Sequence, residues 1–534
     1  MKGKEKQKMR RFTALLLSLM LICAMSMTAF ATDGSSTVNV SEGGQTTGES
    51  HSYKAYQIFT GDLFDGKLSN IKWGKNAEDP AIQSAIAVAL GLSADAELAD
   101  ILAELDGVKD ESDVANKLAA AIASNKGALG TGISVEDGTT NVDPGYYILI
   151  DETTNIGDGD SRGFALLQCL DGAIKITEKR GTVISEKKVK DVNDSEGYNP
   201  TGDAWGTSAD YDIGDDVEFV LTGTVADKFD MFEKYEFVFH DTMSSGLSFN
   251  NDVSVTMDGA TVDASHYTVV YPATDETFRV EFNHVEEIPG VKAGSVIEIS
   301  YTAKLLDTAA IGSKGNENEM YLEYSNNPYT DDKGKTPGNT VIVFTYKVDI
   351  NKVDGNDDAL EGAGFTLYKI DNTYQSSDDK GYTYTVGNET VLYNKTVKTY
   401  TAGADTTFSF EGIDDGEYLL VETETPAGYN SIDPVPFTVS ADHGEGADGK
   451  MTVTINGVTH DYSAVELDFS NGKFEGSTDT DTGTLSTNVV NKSGSLLPST
   501  GGIGTTMFYI IGGILMVGAC MMLFVRKIMT NEKR

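Results

Sequence analysis

The chain has 534 residues, with 82 acidic against 41 basic side chains and a formal charge of −41 at neutral pH. So acidic a chain lacks the basic footprint that nucleic-acid binding requires, and no nucleic acid is expected among its partners. Recurring Tyr, Phe, Val and Ile exclude a wholly disordered chain. Three cysteines and six scattered histidines show no ligand spacing, so neither a metal site nor a cofactor is expected.

In chain order, residues 1–11 carry six basic side chains, 12–25 are apolar, and Ala29-Phe30-Ala31 has the small-x-small form of a cleavage site. Residues 1–31 read as a secretory signal peptide. Residues 32–178 read as mixed α/β. His51 to Phe59 alternates like a half-buried strand. Pro80 can open a helix, and 81–90, 97–105 and 113–123 read as short amphipathic helices. Strands resume at 146–150, 163–170 and 173–177. Residues 181–345 show short strands with turn signals, typical of a β-sandwich, among them 217–221, 235–239, 267–271 and 296–301. The polar loop 330–339 predicts a linker shortly after it, and a second all-β unit spans 346–494. Finally, 503–525 is an uncharged apolar run long enough to cross ~30 Å of hydrocarbon. Arg526-Lys527 behind it should stay cytoplasmic. Cys23 and Cys520 fall in the two apolar ends, so the mature chain keeps only Cys169 and no internal disulfide.

Some charged residues fall where apolar ones are expected. In Val348-x-Ile350-x-Lys352, alternation gives Lys352 the face of Val348 and Ile350. In Tyr418-x-Leu420-x-Glu422 it aims Glu422 into an apolar interior. Asn491, at the end of Val489-Val490-Asn491, is placed similarly. A buried charge is costly unless neutralised or paired, so a Lys352–Glu422 salt bridge is one solution. In the middle unit Lys187 shares a face with Val189, and Asn318 with Leu322 and Tyr324, while Asp241 follows Phe239-His240. A one-residue slip would bring in Lys188 or Asn316 instead, and a turn or cap residue is the alternative reading of Asp241.

The run Tyr418-Leu419-Leu420-Val421-Glu422-Thr423-Glu424-Thr425-Pro426-Ala427-Gly428-Tyr429 resembles the YxLxETxAPxGY element, or E-box, of Gram-positive pilins, departing at Thr425. Asp241-Thr242-Met243-Ser244-Ser245-Gly246-Leu247 resembles the Asp-Thr-x-x-x-Gly-Leu turn of pilin middle domains, and 315–328 their closing strand. Leu497-Pro498-Ser499-Thr500-Gly501, the apolar run and the basic tail together resemble the LPxTG sorting signal of Gram-positive surface proteins; a plain membrane anchor is the other reading of 497–534.

The resemblance implies a SpaA-type backbone fimbrial subunit, mainly β, with tandem immunoglobulin-like, Cna-type sandwiches behind a mixed α/β N-terminal domain. It implies intramolecular isopeptide bonds Lys187–Asn318 and Lys352–Asn491, with Asp241 and Glu422 as proton shuttles. Each bond would join the first strand of a domain to its last. This is single-turnover autocatalysis and not enzymatic turnover. A pilus-type sortase would cut between Thr500 and Gly501 and join Thr500 to a lysine of the next copy. The family's Tyr-Pro-Lys-Asn acceptor motif is absent, so Lys179 is the expected acceptor, with Lys175 second. Ancillary pilins and a housekeeping sortase that attaches the fibre to peptidoglycan are the other implied partners, and the implied location is a cell-wall-anchored pilus. A monomeric wall-anchored adhesin or ancillary pilin would share these signals without the acceptor. A secreted glycosidase with paired carboxylates has no accompanying nucleophile or metal motif here.

Overall fold

The computed structural model describes residues 36–41, 51–64, 66–106, 108, 113–135, 140–170, 172–177, 182–195, 205–441, 451–455, 458–462, 465–468, 476–479 and 482–494. The expected signal peptide, Lys179, the 497–501 motif and the 503–525 run lie outside the described residues. Among the described residues, no helix is long and apolar enough to cross a membrane.

The N-terminal part is built around Gly145–Asp151, whose Tyr-Tyr-Ile-Leu-Ile run is apolar on both faces. It lies between Tyr53–Phe64 and Phe164–Cys169 in a five-stranded sheet. Ile148 and Ile150 face the helices Pro80–Ala89, Leu98–Leu105 and Asp113–Ser124. Tyr147 and Leu149 face a small sheet in which Ser36–Ser41 runs parallel to Gly172–Thr177. The first helix starts as expected, with Pro80 in its first turn and the Asp79 carboxylate accepting from the Ala81 N–H. Cys169 is buried here, and burial pushes its thiol up to about 12, which keeps it protonated and unreactive.

The middle part is a sandwich of two seven-stranded sheets. One holds Ser185–Lys190, Asp216–Thr224 and Val296–Leu305; the other holds Phe237–Met243, Asn316–Ser325 and Asn339–Phe344. Alternate residues of both, among them Phe219, Leu221, Phe239, Ile299 and Leu322, fill the space between. Asp241 lies within the strand Phe237–Met243, not in a turn. The C-terminal part packs a four-stranded sheet on a five-stranded one. Its first strand, Tyr346–Val353, runs parallel to its last, Thr484–Val490, with Lys352 opposite Val489.

No linker follows the 330–339 loop. Asn339–Phe344 leads through Thr345 alone into Tyr346–Val353. Val341 and Val343 belong to the middle core, and Ile342 and Phe344 to the C-terminal core. A strand's period of two lets one segment serve both. This also corrects the expectation for Asn318: the middle sandwich ends on Asn339–Phe344, so Asn318 is not on its last strand. The junction is tight enough to need glycine at residue 483, where φ is +59° and a Cβ would lie 2.4 Å from Gly312 Cα. At the other end, Met231 and Tyr329 of the middle part insert into the helical core of the N-terminal part.

Candidate functional site

On Ser185–Lys190 alternation turns Lys187 and Val189 inward, while Lys188 points out towards Glu186. Across the sandwich, Phe237–Met243 and Asn316–Ser325 are antiparallel neighbours, which brings Asp241 and Asn318 to the same place. Lys187 Nζ donates to Asp241 Oδ2 and to Asn318 Oδ1, both at 2.5 Å. Lys187 is 2% exposed, and Asp241 and Asn318 are 0% exposed. Burial pulls the Lys187 pKa down to about 8 against the attraction of Asp241. It also raises the Asp241 carboxyl against the attraction of Lys187. A lysine whose hold on its proton is weakened by burial, set beside a carboxylate that can take that proton and against an amide carbonyl, is arranged for acyl transfer. Asn316 is also buried, but its amide is tied to the backbone at Ala310 and Val343.

One member of this cluster is absent from the sequence reading. Tyr301 donates its hydroxyl to Asp241 Oδ2 at 2.8 Å and accepts from Asn318 Nδ2 at 3.0 Å. The signal was available: Ile297, Ile299, Tyr301, Ala303 and Leu305 share one inward face, and a phenol in such a row has to find a polar partner in the core.

The second cluster is looser. Lys352 is fully buried, and its Nζ donates to the carbonyls of Val489 at 2.9 Å and Val353 at 3.3 Å. Burial lowers its pKa to about 8, opposed by the Glu422 charge. Asn491 Nδ2 donates to Glu422 Oε1 at 2.8 Å, and Asn491 Oδ1 has no hydrogen-bond partner. Glu422 is half-buried, not sealed in an apolar interior. It lies beside a register shift near the end of its sheet, where Thr425 Oγ1 and the Ile432 N–H donate to Oε2 at 3.1 and 3.2 Å.

A third buried lysine also escaped the sequence reading. Lys369 ends Gly364–Lys369, on the inward face of Phe365 and Leu367. Its Nζ donates to Asp414, and to Asp194 and Asp212 of the middle part at 3.1 Å each. Lys395 donates to Asp212 at 3.0 Å and to Asp371 at 2.8 Å. Burial pulls the Lys369 pKa down, but Asp414, Asp212 and Asp194 together hold it well above its usual value. An amine fixed as ammonium is no nucleophile, so this cluster is an ionic latch across the junction. Oxygens of Asp194, Asp212 and Asp371 lie within 4.8 Å of one another, close enough to share a cation. The two lysine ammonium groups already fill that role.

The fold and these clusters define a modular, mainly β chain in which each sandwich buries a lysine near a carboxylate and an asparagine amide. Residues 346–457 match the SpaA prealbumin-like fold domain, so the C-terminal part carries a SpaA-type domain. The chain is 26% identical over 300 residues to fimbrial subunit type 2 of Actinomyces naeslundii, covering 49% of this chain and 53% of that one. It is 25% identical over 339 residues to the trypsin-resistant surface T6 protein of Streptococcus pyogenes serotype M6, covering 52% and 58%. The chain thus spans just over half the length of these two relatives. The fold is also similar to that of the T6 backbone pilin of serotype M6 Streptococcus pyogenes, a modular three-domain structure. That likeness has a TM-score of 0.52 and 18% identity, and covers 88% of this chain and 100% of the other.

Proposed function

We propose that this chain is the structural backbone subunit of a sortase-assembled pilus on a Gram-positive cell surface. The observation that carries the reading is the repeated placement of a buried first-strand lysine, Lys187 or Lys352, near an asparagine and a carboxylate. In each sandwich the lysine amine displaces ammonia from Asn318 or Asn491, with Asp241 or Glu422 moving the protons. The products are uncharged amides that need no counter-ion in the core. They cross-link strands of a chain in which Cys169, the cysteine among the described residues, is free. The reaction occurs once per molecule. The likeness to a backbone pilin fold and the fimbrial relative support the same reading.

Assembly follows from the LPSTG motif. A pilus-type sortase cleaves Thr500–Gly501 and transfers Thr500 to Lys179 of the next copy, with Lys175, which is exposed on Gly172–Thr177, as second acceptor. A head-to-tail contact of this kind does not close, so it produces a filament. Ancillary pilins join it, and a housekeeping sortase transfers the basal subunit to peptidoglycan. The test is a denaturing gel of cell-wall extracts with mass spectrometry of cross-linked peptides. A ladder of high-mass species linked Thr500 to Lys179 is expected. A ladder linked through another lysine would move the acceptor. A single wall-bound species without a ladder would refute the polymer and leave a monomeric adhesin.

A further inference from the structure

The two clusters differ in how the carboxylate reaches the asparagine. In the C-terminal sandwich Glu422 accepts directly from Asn491 Nδ2, at 2.8 Å. In the middle sandwich the carboxylate is an aspartate, one methylene shorter. Asp241 Oδ2 is occupied by Lys187 and Tyr301, and its Oδ1 has no hydrogen-bond partner. The amide nitrogen of Asn318 donates to the Tyr301 hydroxyl instead. The phenol therefore fills the gap that the shorter side chain leaves. Its ring is clamped by Phe219, stacked at 5.4 Å, and by Phe278, edge-on at 4.9 Å.

We infer that Tyr301 is a catalytic residue of the middle domain, relaying a proton from Asp241 to the departing nitrogen of Asn318. This rests on the bond-forming reading above and adds to it. An amide nitrogen leaves only when protonated, and a phenol can accept one proton while donating another. Lys187 begins as an ammonium and Asp241 as a carboxylate. One lysine proton passes to Asp241 Oδ2, and the freed amine attacks Asn318 Cγ, forming the Nζ–Cγ bond. Asp241 then gives its proton to the Tyr301 oxygen as Tyr301 gives its own to Nδ2. The Cγ–Nδ2 bond breaks, and ammonia leaves carrying three protons. A second proton from Nζ returns to Asp241, which ends neutral beside the new amide, and Tyr301 ends as it began. Burial and the Asp241 charge hold the Tyr301 hydroxyl well above its usual pKa, so it remains a neutral donor throughout.

The experiment is Tyr301→Phe in the full chain, made by cell-free synthesis and stopped in denaturant at intervals. Digestion then gives the Lys187–Asn318 and Lys352–Asn491 cross-linked peptides from the same molecules. The substitution should slow the first bond by about 100-fold or more and leave the second at its wild-type rate. Equal rates for the first bond in both proteins would overturn the relay. A slowed bond with lost hydrogen-exchange protection across Val296–Leu305 would make Tyr301 a folding residue, and would also overturn it. A wild-type chain with neither cross-link would defeat the bond-forming reading itself.

Discussion

Replacing Lys369 by Met tests the ionic latch between the middle and C-terminal sandwiches. The substitution keeps the aliphatic stem and removes the ammonium. Asp414, Asp194 and Asp212, whose side chains are at most 10% exposed, then share only Lys395 and its contacts to Asp212 and Asp371. Removing one partner of a buried ion pair costs about 3–5 kcal/mol, because the remaining charge stays desolvated. Urea unfolding of the mature chain at pH 7, followed by hydrogen exchange in Gly364–Lys369, should show a loss of that size. The loss should also depend on pH. Although burial opposes it, Lys369 and Lys395 hold the Asp212 carboxyl below its usual range. The stability this contributes is present above the unfolded pKa near 4 and is lost as pH falls through the folded value. In the variant the stranded carboxyls take up protons at higher pH, so the gap from wild type should shrink from pH 7 to pH 4. Adding Asp194→Asn and Asp212→Asn should recover most of the loss. A gap under about 1 kcal/mol at pH 7, the range of an exposed pair, or a gap unchanged with pH, would refute the latch.

Three further outcomes are expected. The mature chain made in a host without sortase should weigh two ammonia less than its sequence, and Glu422→Ala one ammonia less with a protease-sensitive C-terminal domain; full mass in the wild type would eliminate both bonds. The Lys187–Asn318 bond should form with a bell-shaped pH dependence, since the reacting pair must hold one proton between lysine and aspartate. The acid limb follows the raised Asp241 pKa and the alkaline limb falls near pH 8, and a rate still climbing above pH 9 would contradict this. His51 bonds Asp151 at 2.5 Å and Asp160 at 2.9 Å, and these partners raise its pKa to about 10 although burial opposes them. Its stabilisation is complete below its unfolded pKa near 6.5 and is lost as pH rises through 10. Melting of the N-terminal domain should therefore fall between pH 7 and 10 in wild type and be flatter in His51→Gln.

Alternation along strands made the inward placement of Lys187, Asn318 and Lys352 readable, because a polar residue in an apolar row is visible in one dimension. Lys369 and Tyr301 carry the same signal, as the third member of Phe365-x-Leu367-x-Lys369 and the third of Ile297-x-Ile299-x-Tyr301. Their role, however, is set by partners that the local sequence does not contain. Asp194 and Asp212 come from another domain, and Asp241 and Asn318 from the opposite sheet, so neither pairing has a sequence spacing. The junction is hidden in the sequence for a different reason. The polar 330–339 loop suggested a linker, but Asn339-Thr340-Val341-Ile342-Val343-Phe344 ends in the continuous apolar run of a strand buried on both faces. The partial exposure of Glu422 depends on a register shift at Gly364, which strand periodicity does not reveal.

The position of Asn318 has a mechanical consequence that a first-to-last clamp would not have. Tension enters the middle domain at Thr345 and, once Lys187 and Asn318 are joined, leaves through Lys187 without loading the chain between them. The unprotected stretch runs from Asn318 to Thr345, about 27 residues, or roughly 90 Å when fully extended. It is held by Asn339–Phe344, which pairs with Asn316–Ser325 and buries its two faces in two cores. In the C-terminal sandwich a Lys352–Asn491 bond would leave only Tyr346 to Lys352 ahead of it, roughly 20 Å of slack. Pulling single chains by their ends should therefore give one middle-domain step of at most about 90 Å and almost none from the C-terminal domain. Lys187→Ala frees about 160 residues and should lengthen the middle step to roughly 540 Å. A wild-type middle-domain step as long as that of Lys187→Ala would show that no covalent clamp spans these strands.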